Sequence, residues 1–252
     1  MEFSLPLLLL ISVLIFLVAT LYSSVGHGGA SGYLAILSLF AIAPSVMSST
    51  ALVLNVLVAG TGVFAFLRAK HLLCSLSWPF ILLSIPAAFL GGLVHVADKT
   101  YFVLLALALL AAAVRLSLSF AASEGETPVS APSMAVSLPI GGVIGFLSGI
   151  VGVGGGIFLS PIMILRRWAD PKKTSAVAAL FIVVNSLAGI LGRVARGGFE
   201  FSVALPFLVA AVFGGIAGSY YGANRFSGMT LRRLLSAVLL IAAFKLVAAA
   251  FR

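Results

Sequence analysis

The chain has 252 residues, of which 62% are hydrophobic and only 8% charged, and its mean hydropathy is +1.25. A soluble domain carries about 25% charged residues, so a water-facing surface is excluded and a polytopic all-α membrane protein is expected. The net charge of +9 does not point to nucleic acid, because the basic residues lie in short loops between apolar runs, where membrane topology puts them.

The first apolar run covers 3–22. No Lys or Arg precedes it, no small-residue cleavage site follows, and it is longer than a signal core of about 7–15 residues, so it reads as a retained helix. It ends in SSVGHGGASGY, Ser23 to Tyr33, and a short run over 30–43 follows. Long runs then cover 45–67, 73–96 and 100–119. AASEGETPVSAPS, Ala121 to Ser133, is rich in Ser, Pro and Glu and reads as a linker. Beyond it the order returns: a long run over 134–153 ending in SGIVGVGGGIF, a short one over 156–165, then 174–195, 200–222 and 229–250. The expected organisation is a first transmembrane repeat over 1–120, a linker over 121–133 and a second repeat over 134–252.

Residues repeat as well as runs. Thr100 to Leu116 matches Thr230 to Leu246 at a constant offset of 130. Thr50 to Gly60 echoes Thr174 to Gly189 after one extra helical turn, which pairs Asn55 with Asn185. An odd number of crossings per half inverts the second half. If each long-plus-short pair leaves the membrane on the side it entered, ten Lys and Arg fall on one side, among them Arg68, Lys70, Lys172 and Lys173. Five fall on the other, among them Lys99, Arg193 and Arg196. The alternative threading splits them eight to seven. The excess of cations marks the cytoplasmic side, so both termini are expected outside and the linker in the cytoplasm of a cell with an inner membrane. A short run of 10–14 residues rises only about 15–21 Å against a hydrocarbon thickness of about 30 Å. Two helical hairpins with internal tips and six full crossings are therefore expected, or eight to ten segments in all.

Non-helical backbone inside a membrane needs protein or a wet cavity to satisfy it. Gly26, Gly28, Gly29 and Gly32 break the first hairpin, and Gly152, Gly154, Gly155 and Gly156 the second. A helix restarts directly after each break, so its free N–H groups and positive dipole end face the break. Two such ends at matching places make a midplane anion site. Close helix packing is the plainer explanation for glycines, and it fits Gly91-Gly92 and Gly214-Gly215, which are spread along helices. Asn55 and Asn185 sit in mid-helix; each can donate to an anion or clamp the hairpin backbone. His27 is the one titratable side chain in a Gly cluster and can carry a proton, donate to an oxyanion or make a structural hydrogen bond. Ser31, with Tyr22, Ser24, Ser148 and Ser160, flanks the tips.

No Asp, Glu, Lys or Arg lies in the centre of a long run, so an anion is expected to be held by backbone dipoles and neutral donors. No metal cluster and no cofactor motif is expected: GVGGG lacks the strand and βαβ unit of a dinucleotide fingerprint. Cys74 is the single cysteine, which excludes an internal disulfide. Two rival classes remain. Gly29 to Gly32 reads as G-x-S-G, so Ser31 with His95 as base would make an intramembrane serine protease; a non-transporting scaffold is the other.

GFLSGIVGVGGGIFLSPIMIL followed by DPKKTSAVAALFIVVNSLAG resembles the second-half signature of the TauE/SafE family, the sulfite exporter-like permeases. YSSVGHGGASGYLAIL with APSVMSSTALVLNVLVAG resembles its first half. The resemblance implies a secondary transporter, not an enzyme, that moves small sulfur-containing anions such as sulfite or organosulfonates. It maps onto Gly26, Gly28, Gly29, Gly152, Gly154, Gly155 and Gly156 with Asn55 and Asn185. The expected partners are the anionic substrate and the lipid bilayer, and a homodimer is compatible with the chain.

Overall fold

A computed structural model describes residues 4–24, 26–40, 42–117, 129–201, 203–224, 240, 243–248 and 250. Among these, nine helices appear and no strand: α1 Leu5–Ser23, α2 Ala30–Leu39, α3 Pro44–Arg68, α4 Cys74–Leu93, α5 Asp98–Ser117, α6 Met134–Val151, α7 Gly156–Leu165, α8 Pro171–Ala195 and α9 Leu205–Asn224. The order long, short, long, long, long in the first half and long, short, long, long over the described part of the second match the apolar runs. Most of the linker, the retained start at Met1–Phe3 and most of the run 229–250, with the Thr230 repeat, lie outside the described residues.

Among the described residues five helices, α1, α3, α4, α6 and α8, are long and apolar enough to cross a membrane. The ten-residue α2 and α7 rise about 15 Å each and are not. Leu5, Val143 and Phe213 are 69%, 62% and 63% exposed. Side chains of this size on an outer face mark a surface built for hydrocarbon.

Proline sets where several helices begin, since its missing N–H costs nothing in a first turn. α3 and α8 both start at a proline and both run 25 residues. Asp170 completes the start of α8: its carboxylate accepts from the Lys173 N–H at 2.9 Å and pairs with Lys173 Nζ at 2.7 Å. Counted from the proline starts, Ser48 corresponds to Ser175 and Asn55 to Ile182. Asn185 lies three residues beyond that place. The extra-turn echo that paired Asn55 with Asn185 is therefore not the register of the fold, because Leu- and Ala-rich helices match one another at several offsets.

Glycine stripes bind the helices in pairs. A Cβ on Gly141, Gly145 or Gly149 of α6 would strike the carbonyl oxygens of Phe80, Ser84 and Ala88 on α4. A Cβ on Gly214 or Gly218 of α9 would strike those of Phe16 and Thr20 on α1. Backbones this close gain dispersion contacts that larger residues would forbid. The strongest packing is α4 on α6, α1 on α9, α4 on α8 and α3 on α8, with α9 on α3 next. Exchanging the halves maps α4–α6 onto α9–α1 and α4–α8 onto α9–α3. Each half thus lends its fourth helix to the other.

Candidate functional site

Each break closes on the helix it leaves. In the first, Gly26 N–H donates to Ser23 O at 3.0 Å and His27 N–H to Tyr22 O at 2.8 Å, which satisfies end carbonyls of α1. Gly29, at φ 93°, then starts α2, and Gly155, at φ 81°, starts α7. Both values lie in the left-handed region that costs a residue with a Cβ about 1–2 kcal/mol. In the second break Gly152 N–H returns to Ser148 O at 2.8 Å.

The two breaks meet at Asn55, which is fully buried. Its Oδ1 accepts from the Ala30 N–H at 3.1 Å, in the first turn of α2. Its Nδ2 donates to Val153 O at 3.1 Å, in the second break, and lies 3.5 Å from Ser186 Oγ. One amide therefore joins both tips, which is the clamping role. Gly28 and Gly154 lie on either side of it: a Cβ on Gly28 would strike Asn55 Oδ1, and one on Gly154 would come within 2.5 Å of Nδ2. Ile182 is a shared neighbour of Gly28, Gly154 and Gly156. Gly155 faces Ile144 and Phe181.

The outer parts of the tips point to opposite ends of the bundle. Gly26 abuts Phe66, near the finish of α3, and Ser175, near the start of α8. Gly152 abuts Ser48, near the start of α3.

The remaining expected site residues are placed as follows. His27 is buried, and its Nε2 lies 3.1 Å from Ser160 Oγ on α7. The Ser160 hydroxyl donates to Gly156 O at 2.9 Å, so it accepts from Nε2–H and the bond joins the halves. Ser31 Oγ pairs with Tyr22 OH at 2.7 Å. Its partner is not His95, which lines a separate cavity. Asn185 stands apart from Asn55: its Nδ2 donates to Phe181 O of its own helix at 2.8 Å, and its buried Oδ1 has no partner among the described residues. Gly32 packs against Val18 and Tyr22, which is a packing role. No group of three or more metal-ligating side chains gathers among the described residues.

The sequence reading missed Arg193. It counts there as a loop cation, yet its side chain is 2% exposed. Its Nη2 donates to Gly149 O at 2.9 Å and Ile150 O at 2.8 Å, and Tyr101 OH donates to Val151 O at 3.1 Å. Together they satisfy the last carbonyls of α6 beside the second break. The position within the last turn of a long apolar helix is the signal that would have found it. A cavity of about 170 Å³ beside it is lined by Ser45, Ser48, His95, Ile150, Arg193 and Arg196, among others. Charged donors thus stand next to the second hairpin, where only dipoles and neutral groups were expected.

The family profile described as "Sulfite exporter TauE/SafE" matches residues 11–246. The chain is 33% identical over 243 residues to the "Probable membrane transporter protein y4hK" of Sinorhizobium fredii, across 94% of this chain and 96% of the relative. It is 26% identical over 246 residues to the "Probable membrane transporter protein YjnA" of Bacillus subtilis, across 91% and 96%. The match to "Probable membrane transporter protein YunE" of Bacillus subtilis, 31% over 101 residues, covers 40% of this chain and 37% of the relative. No solved structure matches.

Proposed function

Because the chain belongs to the TauE/SafE family of membrane transporters, we propose that it is a permease for a small anion, a sulfur-containing oxyanion such as sulfite or an organosulfonate. It works by alternating access in the inner membrane, with its linker cytoplasmic and its termini outside. The observation that carries this reading is the meeting of two broken hairpins, one from each half, at the single amide of Asn55. α2 and α7 both start at these breaks, and helix starts carry the positive dipole end that favours anions.

Inverted repeats fit the packing. Ser48 near the start of α3 and Arg193 near the end of α8 line one cavity, while Gly26 touches the finish of α3 and the start of α8. The matched helices α3 and α8 therefore run in opposite directions. Since α1 is joined to α9 and α4 to α6, each body that moves is a mixed unit with helices from both halves. The joint at Asn55 is suited to this. Buried hydrogen bonds between membrane helices average about 0.6 kcal/mol, so it can break and re-form as access alternates.

The test is flux in proteoliposomes. Purified protein is expected to give saturable movement of labelled sulfite, thiosulfate or methanesulfonate above that of empty vesicles. Folded protein that moves none of the three in either direction overturns the reading.

A further inference from the structure

The cavity beside the second hairpin sits where α3 and α5 begin and α4 and α8 finish, since Ser45, Asp98, Val94 and Arg196 all line it. Arg193 is its unusual wall. The side chain is buried, Nη2 is spent on two carbonyls of α6, and the buried Nε has no partner among the described residues. No carboxylate forms an ion pair with it there; the ion pair among the described residues is that of Asp170 with Lys173. A buried cation held only by carbonyls is costly, and a helix end offers it about half a negative charge. Arg196 brings a second guanidinium to the same cavity and is steadied by Nη1 donating to Val94 O. Against these two, Asp98 is the one carboxylate among the described wall residues.

We propose that this cavity is an anion-binding vestibule, in which one small oxyanion sits between the Arg193 and Arg196 guanidiniums just outside the second break. With Nη1 on Val94 O, the Nε and Nη2 edge of Arg196 can take a pair of sulfite, sulfonate or carboxylate oxygens, while Arg193, whose Nη2 is spent, adds its charge and Nη1. An anion here supplies the charge that the α6 carbonyls leave uncompensated. It also waits next to Ile150 and Ser48, which flank the Gly152 tip, so the vestibule loads the hairpin from one end of the bundle. The inference rests on the reading that the cargo is an anion, but its test needs no transport.

Full-length protein in lipid nanodiscs is titrated calorimetrically with sulfite and with methanesulfonate at fixed pH and ionic strength. The wild type is expected to bind at least one of them. Arg196→Gln, at the rim, is expected to weaken that binding by about tenfold or more, the loss of a charge-assisted pair. Arg193→Lys keeps the charge but cannot hold the two α6 carbonyls and the anion from one planar group, and is expected to weaken it as well; if that variant does not fold, Arg196→Gln decides. Equal affinity in wild type and Arg196→Gln, or no binding of either probe by the wild type, overturns the vestibule. Binding that falls in Arg196→Gln while no solute crosses proteoliposomes supports the vestibule and defeats the transport reading. Unchanged binding alongside normal flux does the reverse.

Discussion

Asn55→Ala isolates the joint between the hairpins. The substitution removes the acceptor of the Ala30 N–H and the donor to Val153 O, both inside buried breaks. In soluble proteins each orphaned group costs about 1–3 kcal/mol. In membranes the measured average per bond is about 0.6 kcal/mol with a maximum of about 1.7. Two bonds on the membrane scale give a loss of about 1–3 kcal/mol. Asn185→Ala is the control. It removes one bond to the carbonyl of Phe181, four residues back in the same helix, and an Oδ1 that has no partner among the described residues. Relief of that oxygen offsets the lost bond, so a change of about 0.5 kcal/mol or less is expected. Both variants can be followed by reversible unfolding in mixed micelles. If Asn185→Ala costs as much as Asn55→Ala, the amide of Asn55 is not the joint and the reasoning fails.

Two further outcomes bear on the hairpin and on the start of α8. Gly155→Ala places a methyl at φ 81°, 2.8 Å from both Ile144 Cγ2 and Phe181 Cε1, and is expected to lose at least about 1–2 kcal/mol; Gly60→Ala, where a Cβ meets nothing within 4 Å, is expected to be neutral or stabilising, and thermal unfolding that ranks the two equally contradicts the strained tip. At Asp170 partial burial pushes the carboxyl pKa up, but the hydrogen bonds and charge of Lys173 outweigh it and hold the group below its ordinary value of 3.8. Its folded pKa is thus depressed, so its contribution is complete above 3.8 and is lost as pH falls through the folded value. Asp170→Ala is expected to cost about 1 kcal/mol at neutral pH, the worth of a helix N-cap, and the gap to wild type should close only in stronger acid, as read from unfolding midpoints across pH; a gap that persists there rules out the ionised cap.

Much of this architecture could be read from the residues. The run 156–165 is α7 to the residue, because Gly155 in front and the charged pair Arg166-Arg167 behind leave it no room to extend. The first short run ends earlier than its hydropathy, at Leu39, because Ile42 N–H turns back to Leu37 O and Pro44 starts the next helix. The packing role read for Gly92 and Gly214 holds, against α8 and α1, and Gly141, Gly145 and Gly149, spaced by four on one face of α6, share it without having been singled out. What could not be read was which polar groups meet. Asn55 and Asn185 look equivalent as letters, but only the first faces both breaks, because the proline starts set the register. Arg193 was counted by a topology rule that knows charge and not burial. His27 and Ser160, 133 residues apart, meet only because each break folds back on its own helix.

The exchange of fourth helices has a consequence for biosynthesis. α1 enters the bilayer early, but the helix whose glycines fit its backbone is α9, about 180 residues later in the chain. At about 5–20 residues per second, the ribosome leaves α1 without that neighbour for roughly ten to forty seconds. α4 likewise waits for α6, so a nascent chain stopped after the first half holds two helices shaped for absent mates. Insertion of the first half and its assembly are therefore separate events, and the interval between them is when a membrane chaperone has something to hold.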